Sequence, residues 1–300
     1  MPPVGKPFLC KCPSLLRDTI IQTLCATPAF LISWQTKMFL NSSFLNPWLI
    51  AVGLNTVLLG IGWIAPKKLL TPAGLLHGWL LGVILWGSLG WQGYLVVLFY
   101  FLVGSAVTRI GMAQKEAEGI AEKRSGARGP ENVWGSALTG TLCALGILVF
   151  PLLNVETGLI TYLLLLGFVA SFSTKLSDTC ASEVGKAYGK RTFLITTLQP
   201  VPRGTEGAVS LEGTLAGIVG SVAMSLVGWG VGLIDLTGVI FCVIAAFIAT
   251  NIESLIGATL QAKVDWLTNE VVNILNTLIG AIAAILLALA WHWYRFLPHI

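Results

Sequence analysis

The stretch from Lys175 to Lys186 mixes acids, ammonium groups and hydroxyls in an otherwise apolar neighbourhood. Wound as a helix at about 100° per residue, it puts Lys175, Asp178, Thr179, Ser182, Glu183 and Lys186 on one face. Leu176, Cys180, Ala181, Val184 and Ala187 fall on the other. On a soluble protein this would be a solvated helix surface, its Lys/Asp and Glu/Lys pairs three apart each worth a few tenths of a kcal/mol. Here the segment continues directly from an apolar run long enough to enter a bilayer. Charges at such depth face a cavity or a partner. Carboxylates suit Mg²⁺ and ammonium groups suit phosphate, so the face has the composition of a phosphoryl-transfer site.

Other polar groups extend that inventory. Arg203-Gly204-Thr205-Glu206-Gly207-Ala208-Val209-Ser210 precedes Leu211-Glu212-Gly213-Thr214, where a further apolar run begins. Backbone NH groups of a glycine-rich turn at a helix start, helped by Arg203 and hydroxyls, can bind an anion. The turn is not a P-loop, because no G-x-x-x-x-G-K-[ST] occurs. Asn132, Ser136, Thr139 and Gly140 follow helical spacing on one apolar run. Asn269, Asn273 and Asn276 do so on the last, with Gly280 continuing the line. Such ladders act either as interhelical hydrogen-bond glue or as readers of a polar head group. Glu253 adds an acid near the end of another run, and Gly257 one turn on permits close approach. His77, His292 and His299 have no acids in suitable positions and are not candidates for catalysis or metal binding.

The elements that must carry these residues are membrane spans. The chain has 300 residues, 55% hydrophobic and 11% charged, against roughly 25% charged in soluble domains; its mean hydropathy is +0.81. Spans are predicted at about 48–64, 73–89, 94–108, 133–150, 159–174, 209–226, 238–249 and 271–293, the seventh being short. The fold class is therefore all-α: a polytopic transmembrane bundle of seven to eight spans, with an amphipathic helix and loops forming a one-sided active site. If each run crosses once, the segments 65–72, 109–131, 175–207 and 251–270 share a side. That side then holds all the Lys and Arg except Lys6, Lys11, Arg17, Lys37 and Arg295, which the positive-inside rule makes cytoplasmic or stromal.

The net charge of +4 is small and its cations sit in short loops, which excludes nucleic acid as a partner. Cys10, Cys12, Cys25, Cys143, Cys180 and Cys242 are scattered and lack zinc-site spacing. Residues 1–45 form a separate extension with four cations and one acid. A targeting segment, an interfacial helix and a plain extension all fit it. Residues 46–300 form the transmembrane catalytic domain.

Five pieces resemble a known family: Arg128-Gly-Pro-Glu-Asn132-Val-Trp-Gly; Asp178-Thr-Cys-Ala-Ser182-Glu183-Val-Gly; Pro202 through Ser210 with Glu212-Gly-Thr-Leu-Ala-Gly; Glu253-Ser-Leu-Ile-Gly; and Asn269 through Asn276. This is the integral membrane family that includes the phytyl-phosphate kinase of tocopherol biosynthesis in plants and cyanobacteria. The likeness runs from about residue 50 to the C-terminus.

The resemblance implies transfer of a phosphoryl group from a nucleoside triphosphate, CTP by preference, to phytyl phosphate. It implies a cyanobacterial membrane or plastid envelope as the location, and leaves a homo-oligomer open. Residue chemistry suggests the roles. Asp178 and Glu183, with Glu253 as a third acid, hold Mg²⁺. Lys175, Lys186, Arg128 and Arg203 neutralise phosphates. The turn from Gly204 through Thr205 to Gly207, with Ser210 and Ser182, cradles one of them, and Asn132, Asn269, Asn273 and Asn276 orient the head group. A prenol kinase, a CTP-dependent cytidylyltransferase on a lipid phosphate and a membrane transporter are the competing readings.

Overall fold

The computed structural model describes residues 46–65, 68–153, 157–261 and 263–296. The expectation for residues 1–45 lies outside them. Helix α1 (Pro47–Ile64) leads to α2 (Pro72–Thr108), the short α3 (Met112–Ala117) and a 3₁₀ turn, then α4 (Pro130–Leu152) and α5 (Thr157–Tyr188). Strands β1 (Thr192–Leu194) and β2 (Ala208–Ser210) follow, then α6 (Leu211–Gly230), α7 (Leu236–Ile256) with a π-wound extension to Gln261, and α8 (Asn269–Phe296). Among the described residues, seven helices are long and apolar enough to cross a membrane.

Helix starts follow capping chemistry. Asn46, Thr71, Ser210 and Asp235 each accept a backbone NH of the first turn, and proline opens α1, α2 and α4. Proline costs nothing there because its missing NH is one the helix leaves unpaired anyway.

Within α2, Gly90 takes φ 67°, ψ −160° and breaks the winding. A straight helix would hold Gly74 and Gly104 about 45 Å apart. Both instead lie against Arg128, Gly74 at its carbonyl and Gly104 at its guanidinium, so the helix turns back on itself. Its arms, 72–89 and 91–108, are each about 27 Å long, close to the hydrocarbon thickness. Together with the other helices they give eight apolar segments, corresponding to the eight runs in the sequence. The expected turn over 90–93 is a single glycine break. The run expected to be short, 238–249, is part of the full-length α7.

Helix α5 is the central post. Leu165, Leu166, Phe168, Val169, Ala170 and Phe172 are all buried, while α2, α4, α6, α7 and α8 pack around it. Small residues set the closest approach: a Cβ on Gly213 would lie 2.5 Å from the Ala181 carbonyl oxygen, and one on Gly220 would lie 2.9 Å from Cys180 Sγ. Glycines on one stripe of α6 thus let two backbones touch, as membrane interfaces favour. Hydroxyls reinforce the bundle through Ser173 to the Ser221 carbonyl at 3.0 Å and Thr139 with Thr277 at 2.9 Å, so the upper part of the α4 ladder is interhelical glue. The large apolar side chains left exposed on α1, α6, α7 and α8 are those a bilayer would cover. His77 accepts a hydrogen bond from Trp134 Nε1 at 2.8 Å, and Cys143, Cys180 and Cys242 are free and buried.

Candidate active site

Helix α5 does not stop at the depth where its apolar run ends. It continues to Tyr188, so the predicted amphipathic segment is its last three turns. Those turns stand among the ends of α2 and α7 and the starts of α4, α6 and α8, where they line a cavity of about 940 Å³. The parity assigned from charge is therefore realised at one end of the bundle.

At the cavity wall, Lys175 Nζ donates to Asp178 Oδ2 at 2.6 Å and to Asn273 Oδ1 at 2.6 Å, joining α5 to α8. Glu253 on α7 lines the same cavity as Asp178. Asn276 donates from Nδ2 to Glu253 Oε2 at 2.6 Å. Three helices thus contribute two carboxyls, two amides and one ammonium group to a single cluster. Asp178 and Glu253, carried by different helices, line one cavity with Lys175, an arrangement only long-range packing can make.

Glu183 belongs to a second cluster. It stands five residues past Asp178, which rotates it about 140° around the helix axis. Its carboxylate is ion-paired with Lys115 of α3, a lysine with no exposed surface. Lys115 also donates to the Thr108 carbonyl at 2.7 Å. Lys186 lies 3.5 Å from Glu183 Oε1 and 3.9 Å from Glu122, with its field reaching Asp178.

The segment between α2 and α4 is held across the cavity by these pairs and by Arg203, which bonds Glu118 at 2.6 Å and the Ala187 carbonyl at 3.3 Å. Gly111, Gly119 and Gly126 take left-handed φ angles of 62°, 71° and 80°, which glycine adopts at no steric cost, while Arg124 in the same strap takes φ 58°.

A third group sits beside α2. Arg128 Nη1 donates to Tyr100 Oη at 2.8 Å, with the guanidinium 5.1 Å from the ring centre, and Tyr100 donates to Ser136 Oγ at 2.9 Å. Asn132 accepts from Gly129 NH at 3.1 Å and from Arg124 at 3.3 Å, so part of its amide is spent capping α4.

The glycine-rich turn runs into β2, which pairs antiparallel with β1 in the register Phe193↔Val209. Gly204 and Gly207 have φ 81° and 75°, and a Cβ on Gly207 would lie 2.5 Å from that of Ala258. Ser210 caps α6 through Gly213 NH at 3.1 Å.

Lys175, Asp178, Ser182, Glu183, Lys186, Arg128, Asn132, Gly204, Thr205, Gly207, Ser210, Glu253, Asn269 and Asn273 all line the cavity. Arg203 does not, being turned onto the strap, and Asn276 lies behind Glu253. The sequence reading missed Lys115, which looked like one loop cation among several. It also missed Tyr100 and Arg124, since neither sits in a polar pattern; the glycine-bounded run from Gly111 to Gly119 was the available hint of an ordered strap.

The family profile described as Integral membrane protein DUF92 matches residues 55–281, a span containing every candidate residue from Arg128 to Asn276. An uncharacterized membrane protein of Synechocystis sp. is 69% identical over 245 residues, covering 82% of this chain and 93% of that one. Protein VTE6, chloroplastic, of Arabidopsis thaliana is 46% identical over 242 residues, covering 80% and 72%. An uncharacterized membrane protein of Methanocaldococcus jannaschii is 31% identical over 225 residues, covering 75% and 88%. No solved structure matches the chain.

Proposed function

The chain belongs to the Integral membrane protein DUF92 family, and from that premise we propose that it is a phosphotransferase converting phytyl phosphate, or a similar prenyl phosphate, to the diphosphate. A nucleoside triphosphate, CTP by preference, is the donor. One observation carries the reading: Lys175 and Asp178 of α5, Glu253 of α7 and Asn273 of α8 line one cavity at one end of the bundle. The similarity to VTE6 and the family resemblance of the motifs supply the substrate class.

The residues present fit Mg²⁺. Two half-buried carboxyls, Asp178 and Glu253, line the cavity with one ammonium group, Lys175, bonded to Asp178. Asn276 spends its Nδ2 on Glu253 Oε2 from behind the cavity wall, which holds that carboxyl in place at the cavity. Among the described residues no group of three His, Cys, Asp or Glu side chains is placed to hold a metal ion by itself; Mg²⁺ on two carboxylates would complete its shell with phosphate oxygens and water. Asp178 and Glu253 would hold it, and when bound it would neutralise charge on the donor phosphates.

The reaction joins an ionised oxygen of the acceptor phosphate to the terminal phosphorus of the donor, and the bond from that phosphorus to its bridging oxygen breaks. The nucleoside diphosphate leaves with the electron pair. No strong base is needed because the attacking oxygen is already ionised at neutral pH. Lys175, fixed by Asp178 and Asn273, and Lys186, fixed by Glu183 and Glu122, present positive charge to the moving phosphoryl group. Arg128, seated on Tyr100, presents another. Holding these groups in place before substrate arrives is the main source of rate in such a reaction. Glu183 acts here by placing Lys186 and Lys115, and Arg203 by anchoring the strap.

The test is incubation of purified protein with phytyl phosphate and each nucleoside triphosphate in turn, both products being identified by mass. Phytyl diphosphate and CDP are expected. Pyrophosphate with a cytidylylated lipid would replace the kinase by a nucleotidyl transferase, and no turnover with any nucleotide would end the proposal.

A further inference from the structure

The residues lining the cavity fall into two arms of opposite chemistry. One, beside α2 and α4, holds Tyr100, Ser136 and Arg128, joined by hydrogen bonds, with Tyr100 and Ser136 buried. The other, on α6 and α7, reaches Ser221 and Phe247. At 1.5 Å per residue, those positions lie about 15 Å below the start of α6 and about 14 Å below the end of α7.

The second arm is polar in composition and apolar in effect. Ser221 donates its hydroxyl to the Ile218 carbonyl at 2.8 Å, and Thr250 donates to the Ala246 carbonyl. Both protons are spent on their own helices, and Ile218, Phe247 and the bare backbone of Gly217 line the cleft beside them, with Ser177, Thr214 and Asn251 also on the lining. Its lower end is open on the lipid side: Phe247 lines the cavity yet is 47% exposed, and Leu215, Val219 and Ile244 beside it are exposed as well.

The geometry points to this cleft as the portal through which the isoprenoid chain of the acceptor passes from the cavity into the bilayer, with Ile218 and Phe247 setting which chains fit. This rests on the prenyl-phosphate reading above. A chain of about twenty carbons cannot be drawn into water, since each methylene costs about 0.8 kcal/mol to expose. The cavity must therefore open sideways, and the polar arm offers no such exit. The phosphate end would then lie at the Asp178 and Glu253 carboxyls, Glu253 being nearly two turns above Phe247 on the same helix.

Full-length protein in lipid nanodiscs is photolabelled with a prenyl monophosphate carrying a diazirine on its first isoprene unit, without nucleotide. Adducts are expected on peptides of α6 and α7. Adducts confined to α2 or α8 would overturn the portal. Independently, the ratio of kcat/KM for a twenty-carbon to a five-carbon prenyl phosphate is measured for Ile218→Trp. That ratio is expected to fall roughly tenfold, the equivalent of about two methylenes pushed out of apolar burial. Phe247→Ala serves as the second variant, expected to widen acceptance toward branched or longer chains; unaltered ratios in both variants would also overturn the portal. If the wild type turns over no prenyl phosphate, the kinase reading fails by itself, and the labelled peptides still decide the portal.

Discussion

Glu183→Gln tests whether the strap between α2 and α4 is held by a buried charge. Lys115 has no exposed surface and Glu183 almost none, and the ammonium has one other partner, the Thr108 carbonyl at 2.7 Å. The substitution keeps the shape and an acceptor oxygen, yet removes the counter-charge that touches that ammonium. Breaking a buried pair from one side costs about 3–5 kcal/mol, because an uncompensated charge is left in a low-dielectric site. The second contact, Lys186 to Glu183 at 3.5 Å, adds little, since Lys186 is partly exposed and retains Glu122 at 3.9 Å.

Lys115→Met should be comparably harmful, leaving Glu183 with Lys186 alone. The double variant has no orphaned charge on either side, so it should recover most of the loss, giving a coupling of several kcal/mol in a double-mutant cycle. Two measurements read it: unfolding of the detergent-solubilised protein, and limited proteolysis at Lys123 and Arg124, which sit on the strap. If the strap opens locally, cleavage will accelerate before global stability falls. Single variants within about 1 kcal/mol of wild type, as exposed pairs give, with unaltered cleavage, would refute the reasoning.

Asp178→Asn is expected to lower kcat by roughly a hundredfold or more, by removing one of the two carboxyls at the reaction centre; full turnover in purified protein would take Asp178 out of the metal role. Chelation by EDTA should abolish turnover and excess Mg²⁺ restore it, whereas activity indifferent to both would exclude a divalent ion held at Asp178 and Glu253. Tyr100→Phe removes the hydroxyl that joins Arg128 to Ser136 and leaves the guanidinium over the ring, so KM for the phosphate substrates should rise roughly threefold to tenfold with kcat little altered. Gly213→Leu forces side-chain atoms into the Ala181 carbonyl of α5, and overpacking of about 1–3 kcal/mol or more should appear as a lower unfolding temperature.

Much of this molecule is legible in one dimension. Apolar runs of bilayer length, proline and capping residues at their starts and a lopsided distribution of Lys and Arg are local properties, and they give an all-α polytopic bundle with its polar loops at one end. The amphipathic face from Lys175 to Lys186 and the amide spacing of Asn269, Asn273 and Asn276 are also local, since helical periodicity alone aligns them. The Gly90 break shows the same limit from the other side: its position was visible as a turn, while the return of one arm against the other appears only where Arg128 touches both.

Pairing between clusters was not legible, because it depends on which helix faces which. Asp178 and Glu183 sit about 140° apart at the two edges of one polar face, but the helical period does not say that one edge meets the Lys175–Asn273 contact and the other meets Lys115. Arg203 looked like a phosphate ligand until packing turned it onto Glu118. Composition and helical period act residue by residue, so they already fix which chemistry is available and that it gathers at one end of the bundle. Which carboxyls share a cluster, which cation is sealed away and what lines the cavity follow from interhelical contacts between residues distant along the chain, and no local property encodes them.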